Sequence, residues 1–141
     1  MNIFSMLLAI LAGVFTTIET SINSQLGKYL TPSIATLHSL ITGMTFMLVI
    51  NLLLGNMPRY SRVVTVRPIW LIGGLFGAFI IYFSSKSIPV LGISDTIILI
   101  LAGQLVSGLI MDAFFNNVDI SLKKMAGMVL FLTGAIMFLK E

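Results

Sequence analysis

The stretch IFSMLLAILAGVFTTIETS, residues 3–21, decides the fold of this chain. It holds nineteen residues and a single charged side chain, Glu19, which is the composition of a membrane-spanning helix. A lone strand in hydrocarbon leaves its backbone groups unpaired, so we expect a helix. No basic residue precedes the apolar run and no convincing cleavage site follows it, so we interpret it as a retained helix and not as a signal peptide.

The composition extends this interpretation to the whole chain. Of the 141 residues, 57% are hydrophobic and only 9% are charged, against roughly 25% charged residues in soluble domains. The absence of cysteine excludes disulfides and thiolate metal sites, and one histidine, His38, argues against a dedicated metal centre. The net charge of +3 does not indicate nucleic acid, because membrane proteins carry basic residues beside their helix ends.

Five apolar segments predict an all-α, polytopic membrane bundle of five transmembrane helices. Each is near the ~20 residues that a bilayer of ~30 Å requires. Short polar stretches separate them, and we assign the four prolines to loops or helix starts. The predicted helices of this single domain, residues 1–141, cover residues 3–29, 34–54, 69–85, 93–115 and 125–139.

The orientation of the chain is weakly encoded. Five basic residues lie on the side of the N-terminus and three on the other side, which mildly favours a cytoplasmic N-terminus. Because the bias is small, insertion in both orientations stays open, and two opposed copies would supply an inverted repeat. The two sets are Arg59, Arg62, Arg67, Lys123 and Lys124 against Lys28, Lys86 and Lys140.

Glu19 is the most informative residue for function. Burying a carboxylate in hydrocarbon costs a few kcal/mol on insertion scales, roughly 2.5–3.5 for comparable charged groups, so it should face a cavity or a partner. Thr16, Glu19 and Asn23 are three and four residues apart and share one helix face. We expect Glu19 to exchange a proton and to bind substrate; the alternative is a structural hydrogen bond near the interface.

Four further polar residues are candidates for substrate binding. His38 and Ser39 lie on the second predicted helix, at the end toward which Glu19 is displaced. An interfacial histidine is an equally good interpretation of His38. Gln104 and Ser107 lie one turn apart in the fourth helix, and a glutamine at that depth bonds either a neighbouring helix or a substrate. Of these two roles, helix contact is slightly favoured for Gln104.

Small residues at helical spacing indicate close helix packing. Such faces allow another backbone to approach, either within the bundle or in a dimer. The candidate packing positions are Gly73, Gly74, Gly77 and Ala78 in the third helix and Gly127 and Gly134 in the fifth.

Enzymatic function is not expected. The chain has no G-x-x-x-x-G-K-[ST] loop, no H-E-x-x-H motif and no G-x-S-x-G elbow. One membrane-embedded carboxylate with several hydrogen-bonding side chains suits a secondary transporter that needs no cofactor.

A set of short motifs is spread over the chain: Gly13, Glu19-x-x-x-Asn23-x-x-Leu26-Gly27, Ser39-x-x-x-Gly43, Trp70-x-x-Gly73-Gly74-x-x-Gly77-Ala78, Pro89-x-Leu91-Gly92, Gly103-Gln104-Leu105 and Asp112-x-Phe114. In this order and spacing they resemble the motifs of a known family, the five-span YdcZ-like branch of the drug/metabolite transporter superfamily. The resemblance implies a multi-pass bundle in the inner (cytoplasmic) membrane that pairs as an antiparallel dimer with ten helices. The resemblance leaves open a homodimer or a heterodimer with a paralogue.

Glu19 departs from this family pattern, in which glutamine is common at that position. It is similar to the embedded glutamate of the small multidrug resistance family, where protons and cationic substrates compete. This similarity favours proton-coupled export of small organic cations. The alternatives are a passive facilitator, a neutral-metabolite transporter, or a membrane partner subunit that transports nothing.

Overall fold

The protein is described by a computed structural model that covers residues 2–115 and 121–140. Within these ranges the fold is all-α, as predicted, and contains no strand. Two 3₁₀ turns, Ser61–Thr65 and Pro68–Leu71, lie between the third and fourth helices. The helices are α1 Ile3–Tyr29, α2 Pro32–Leu53, α3 Met57–Tyr60, α4 Gly73–Leu91, α5 Ile93–Phe115 and α6 Leu122–Phe138.

Four segments of the described chain are long and apolar enough to cross a membrane, namely Ile3–Tyr29, Pro32–Leu53, Pro68–Leu91 and Ile93–Phe115. They confirm the prediction of a multi-pass helical membrane protein. The remaining long helix, α6, has 17 residues. Its length is about 25 Å at about 1.5 Å per residue, at the short limit for a span. The fifth span and the ten-helix dimer therefore stay predictions.

The third predicted helix differs most from the structure. It was expected over residues 69–85, whereas α4 starts at Gly73 and continues to Leu91. Placing Pro89 outside the helices was wrong, because Pro89 lies inside α4. Proline removes the hydrogen bond that its own N–H would donate and crowds the carbonyl four residues before it, a disturbance that falls here in the last turn of the helix. Gly92, with a φ of +88°, then ends the helix in the left-handed region that favours glycine.

Burial in this chain is inverted relative to a water-soluble domain. Large apolar side chains such as Leu53, at 78% exposure, lie on the surface, while small and polar ones are buried. Lipid tails are as apolar as leucine, so little drives apolar side chains inward, and small or hydrogen-bonding residues form the helix contacts. Below 9% exposure are Ala35, Ile81, Ile88, Thr20, Asn23, Ser24, Thr36, Ser84, Ser85 and Thr96.

The chain forms two compact units, Met1–Pro89 and Val90–Glu141. In the first unit α1 and α2 form an antiparallel hairpin, and Thr31 caps α2 by accepting a hydrogen bond from the Ile34 N–H at 3.2 Å. A Cβ built on Gly27 would lie 3.5 Å from the Pro32 Cα, so the two backbones approach closely beside the turn. The prediction of one domain over residues 1–141 stays a prediction.

The predicted packing glycines are open in the described chain. No atom outside their own helix turn lies within 4 Å of a Cβ built on any of them. Gly77 and Ala78 are half-buried. These faces remain available to lipid or to a second copy, and their packing role stays a prediction. The open positions are Gly73, Gly74, Gly77, Gly127 and Gly134.

Candidate functional site

The candidate site begins with the depth of Glu19 in the membrane. Helix α1 has 27 residues, a length of about 40 Å at about 1.5 Å per residue. Its central residue is Thr16, so Glu19 lies about 4.5 Å along the axis from the helix centre. A helix of this length centred on the bilayer therefore places the carboxylate well inside the hydrocarbon. The expectation that α1 continues past Ser21 to Tyr29 is confirmed.

One hydrogen bond connects Glu19 to α2, and a second joins Asn23 of α1 to the same Ser39 hydroxyl. The Asn23 Nδ2 group donates to the Ser39 Oγ at 3.1 Å. The Ser39 hydroxyl then donates to the Glu19 Oε1 at 3.4 Å, which is long for an O–H···O hydrogen bond. The hydroxyl of Ser39 thus accepts from one residue and donates to another. We call these three residues the Glu19–Ser39–Asn23 relay.

Exposure rises along the relay from the hairpin interior to its surface. Asn23 is 4% exposed, Ser39 is half-buried, and Glu19 is exposed. The amide is therefore fixed by packing, while the carboxylate faces outward with one weakly held oxygen. The Glu19 carboxylate is therefore accessible from outside the hairpin.

The hydroxyl groups next to Glu19 on α1 donate to their own helix backbone. Thr16 donates to the Ala12 carbonyl at 2.8 Å, Thr20 to the Thr16 carbonyl at 2.9 Å, and Ser21 to the Thr17 carbonyl at 2.7 Å. Thr16 therefore shares a helix face with Glu19, as predicted, without donating a hydrogen bond to its carboxylate. A hydroxyl that has donated keeps its oxygen lone pairs, so the half-buried Thr16 leaves one acceptor on the face of Glu19, whereas Thr20 is 2% exposed.

His38 lies outside the relay although it is adjacent to Ser39 in sequence. Its side chain is exposed, and its backbone carbonyl accepts a hydrogen bond from the Thr42 hydroxyl at 2.9 Å. Adjacent residues on a helix point about 100° apart, so neighbours in sequence do not share a face. A substrate-binding role for His38 stays a prediction.

Gln104 and Ser107 belong to the second unit. The Ser107 hydroxyl donates to the Gly103 carbonyl at 2.7 Å, so its proton is used within α5. Gln104 lines a shallow depression of about 360 Å³ together with Leu101, Leu105 and Phe131. The depression lies between α5 and α6 and is mostly apolar. Substrate contact by Gln104 and Ser107 stays a prediction.

Two buried serines were missed by the sequence reasoning. The hydroxyl oxygens of Ser24 and Ser85 are buried and form no hydrogen bond with any described residue. Each residue is 1% exposed. Ser85 lies four residues before Pro89, so its backbone carbonyl also lacks the usual helical N–H donor. The spacing Ser85-x-x-x-Pro89 was the sequence signal for this second feature; Ser24 carried none.

The fold defines a polytopic helical membrane protein, and the relay lies on two of its membrane-length helices, α1 and α2. A family model matches residues 4–137, nearly the full chain. The chain belongs to this family, described as "Putative inner membrane exporter, YdcZ". The resemblance of the motifs to the YdcZ-like family is thereby confirmed, as is the multi-pass location in the inner membrane.

Searches of the curated proteins and of the solved structures found no match to this chain. Membership of an exporter family indicates a membrane transporter. It does not state a substrate or a coupling ion.

Proposed function

We propose that this protein is a secondary active transporter that exports small organic cations in exchange for protons, with Glu19 as the shared binding site. One observation carries the proposal. The Glu19 carboxylate lies near the middle of a 27-residue membrane helix, exposed on the hairpin surface and contacted only weakly, by the Ser39 hydroxyl.

The depth of Glu19 supplies the basis for coupling. A bare carboxylate in hydrocarbon costs a few kcal/mol, roughly 2.5–3.5 by insertion scales for comparable charges, and either a proton or a bound cation removes most of that cost. The two ligands exclude each other, because each neutralises the same group. Binding one therefore releases the other, which is the requirement for antiport.

The surrounding chemistry favours a cation over an anion or a neutral molecule. Within the first unit the half-buried Thr16 hydroxyl lies on the helix face of Glu19 and leaves its oxygen as an acceptor, since it has already donated to the Ala12 carbonyl. No basic side chain lies between Met1 and Gln25 in the sequence. An ammonium group with several N–H donors matches a carboxylate that has an acceptor hydroxyl oxygen beside it.

A second copy of the chain is the proposed cover for Glu19. In one chain the carboxylate is exposed at membrane depth, and direct contact with lipid would be costly. Two copies inserted in opposite orientations would bring two Glu19 side chains together, and their titration would then belong to the pair. Rocking of the two copies about this central site would give alternating access.

The deciding experiment measures proton release from purified, detergent-solubilised protein when organic cations are added in weakly buffered solution. Wild type should release protons and Glu19→Gln should release none. Asp95→Asn is the matched control, because it removes a carboxylate from the first turn of α5 and should leave release intact. Binding of the same cation without proton release from wild type would reject the coupled mechanism.

Two alternatives give different results in the same preparations. A passive facilitator would conduct the substrate but would not accumulate it against a gradient, and Glu19→Gln would not change this. A partner subunit without transport activity would tolerate Glu19→Gln but not Gly77→Leu in the small-residue face of α4. If only a complex with a paralogue is active, this chain alone would show no transport.

A further inference from the structure

A groove at the end of α2 is separate from the Glu19 site and has no assigned role. Its volume is about 700 Å³, which is within the usual range for ligand pockets. One wall comes from α2 and the other from α3 and the 3₁₀ turn that follows it. The lining residues are Met44, Met47, Leu48, Asn51, Asn56, Met57, Arg59, Tyr60 and Val63.

The wall on α2 is a single helical stripe. Met44, Met47, Leu48 and Asn51 are spaced at i, i+3, i+4 and i+7, so they share one face of the helix. From Asn51 to Met44 this stripe runs about 10 Å along the axis, at about 1.5 Å per residue, from the end of α2 into the membrane. Its outer end is polar and its inner part is apolar.

The turn after α2 holds the second wall against the first. The Asn56 N–H donates to the Asn51 carbonyl at 3.0 Å, and the Gly55 N–H donates to the Leu52 carbonyl at 3.1 Å. Together with the left-handed φ of Gly55, +65°, these bonds form a Schellman motif. The helix thereby ends at a defined turn, and α3 supplies three residues of the second wall, Met57, Arg59 and Tyr60.

Positive charge collects at the outer, polar end of the groove. Arg59 is exposed. Its Nη1 donates to the Asn56 Oδ1 at 3.5 Å, which is long for an N–H···O hydrogen bond. The sequence from Thr20 to Ser94 contains no aspartate or glutamate, although it carries Arg59, Arg62 and Arg67. Glu19 is the one carboxylate among the described residues 2–89, and it accepts a hydrogen bond from Ser39. The guanidinium of Arg59 remains able to bind an anion.

We infer that this groove binds one anionic phospholipid, with the headgroup phosphate on Arg59 and an acyl chain along Met44, Met47 and Leu48. The order of polarity matches such a molecule from headgroup to tail. Arginine pairs with phosphate through two parallel hydrogen bonds, and tyrosine and asparagine at the same level suit the interface. Methionine side chains are flexible enough to pack against a mobile chain.

The experiment compares phospholipid binding to delipidated, purified protein by native mass spectrometry. Wild type should bind phosphatidylglycerol in preference to phosphatidylcholine. Arg59→Gln should weaken phosphatidylglycerol binding about fivefold, which corresponds to about 1 kcal/mol for one basic residue near a membrane surface. Arg62→Gln is the matched control, because Arg62 lies on the same segment without lining the groove, and it should bind like wild type.

Further variants and competition by soluble phosphates also test the proposed lipid site. Met47→Trp should fill the apolar part and also weaken phosphatidylglycerol binding, whereas Arg59→Lys should keep most of it. Inorganic phosphate and glycerol phosphate at millimolar concentration should not displace the lipid. Equal losses in Arg59→Gln and Arg62→Gln, or displacement by phosphate alone, would overturn the inference. Glu19→Gln should leave lipid binding unchanged, so this test is independent of the transport mechanism.

Discussion

Asn23 of α1 and Ser39 of α2 are joined by a hydrogen bond of 3.1 Å between Nδ2 and Oγ. This bond crosses the hairpin at the level where α1 carries Glu19, and its donor is almost completely buried. It therefore fixes the register of the two helices at the candidate site. In a membrane such interhelical hydrogen bonds contribute modestly to stability, on average about 0.6 kcal/mol. The main effect of this bond is therefore to orient the two helices relative to each other.

The hairpin should lose stability when this bond is removed. Ser39→Ala leaves the buried Asn23 amide without its acceptor, and we expect a loss of about 1 kcal/mol in the free energy of unfolding. Thermal unfolding in detergent measures the change. Thr45→Ala is the control, because the Thr45 hydroxyl donates only to the Ile41 carbonyl of its own helix. Equal stability of both variants would contradict the structural role of the bond.

Coupled transport should depend on the carboxylate at residue 19. In proteoliposomes with an imposed pH gradient, Glu19→Gln should abolish accumulation of an organic cation, because glutamine carries neither the charge nor the exchangeable proton. Glu19→Asp keeps both and should retain measurable accumulation. The assay follows labelled cation uptake with and without a protonophore. Uphill accumulation by Glu19→Gln would exclude this residue as the coupling site.

Close approach at Gly27 should limit the size of the side chain. A Cβ there would be 3.5 Å from the Pro32 Cα and 3.9 Å from the Ala35 Cβ, which are ordinary contacts, so Gly27→Ala should be nearly neutral. Gly27→Leu adds atoms that the hairpin cannot accept and should cost about 1–3 kcal/mol. Gly13→Leu, on the same helix with no neighbour within 4 Å, is the control in the unfolding assay. A stable Gly27→Leu would show that the hairpin is looser than described.

The turn after α2 should depend on the left-handed conformation of Gly55. At a φ of +65° a Cβ is unfavourable, so Gly55→Ala should cost about 1–2 kcal/mol. Gly43→Ala, in the interior of α2, should instead be neutral or stabilising, because alanine is the better helix former by about 1 kcal/mol. Both effects are measured by thermal unfolding. Equal behaviour of the two variants would argue against the Schellman motif.

The fifth span can be tested by labelling from outside the cell, since the chain has no cysteine of its own. Leu122→Cys and Lys140→Cys flank α6 and should fall on opposite sides of the membrane. Their externally labelled fractions should add to one, whether the protein inserts in one orientation or in both. Ser61→Cys should match Leu122→Cys, because two spans separate them. Equal labelling of Leu122→Cys and Lys140→Cys at any value other than one half would show that α6 does not cross.

Hydropathy alone was sufficient to locate most of the helices. The apolar segments predicted at 3–29 and 93–115 coincide with α1 and α5, because a membrane helix must satisfy its own backbone and present apolar side chains along its whole length. The prediction ended the third helix at residue 85, where hydropathy falls, whereas α4 continues to Leu91. At the end of α4, Ser84 satisfies its hydroxyl by donating to the Ile80 carbonyl at 2.7 Å, so the helix continues through polar sequence.

The sequence by itself determined that this protein lies in a lipid bilayer, that it is helical, and that Glu19 is the leading candidate for a functional residue. These conclusions follow from composition and from the free-energy cost of a charge in hydrocarbon. Neither depends on which residues are in contact in the folded protein. Only the tertiary structure decided that Ser39, and not Thr16 or His38, contacts Glu19 in the described chain. Likewise, only the turn at Gly55 brings Arg59 to the groove that Met44 and Met47 also line. Both contacts depend on how the chain turns back between elements, which a pattern along one helix does not specify.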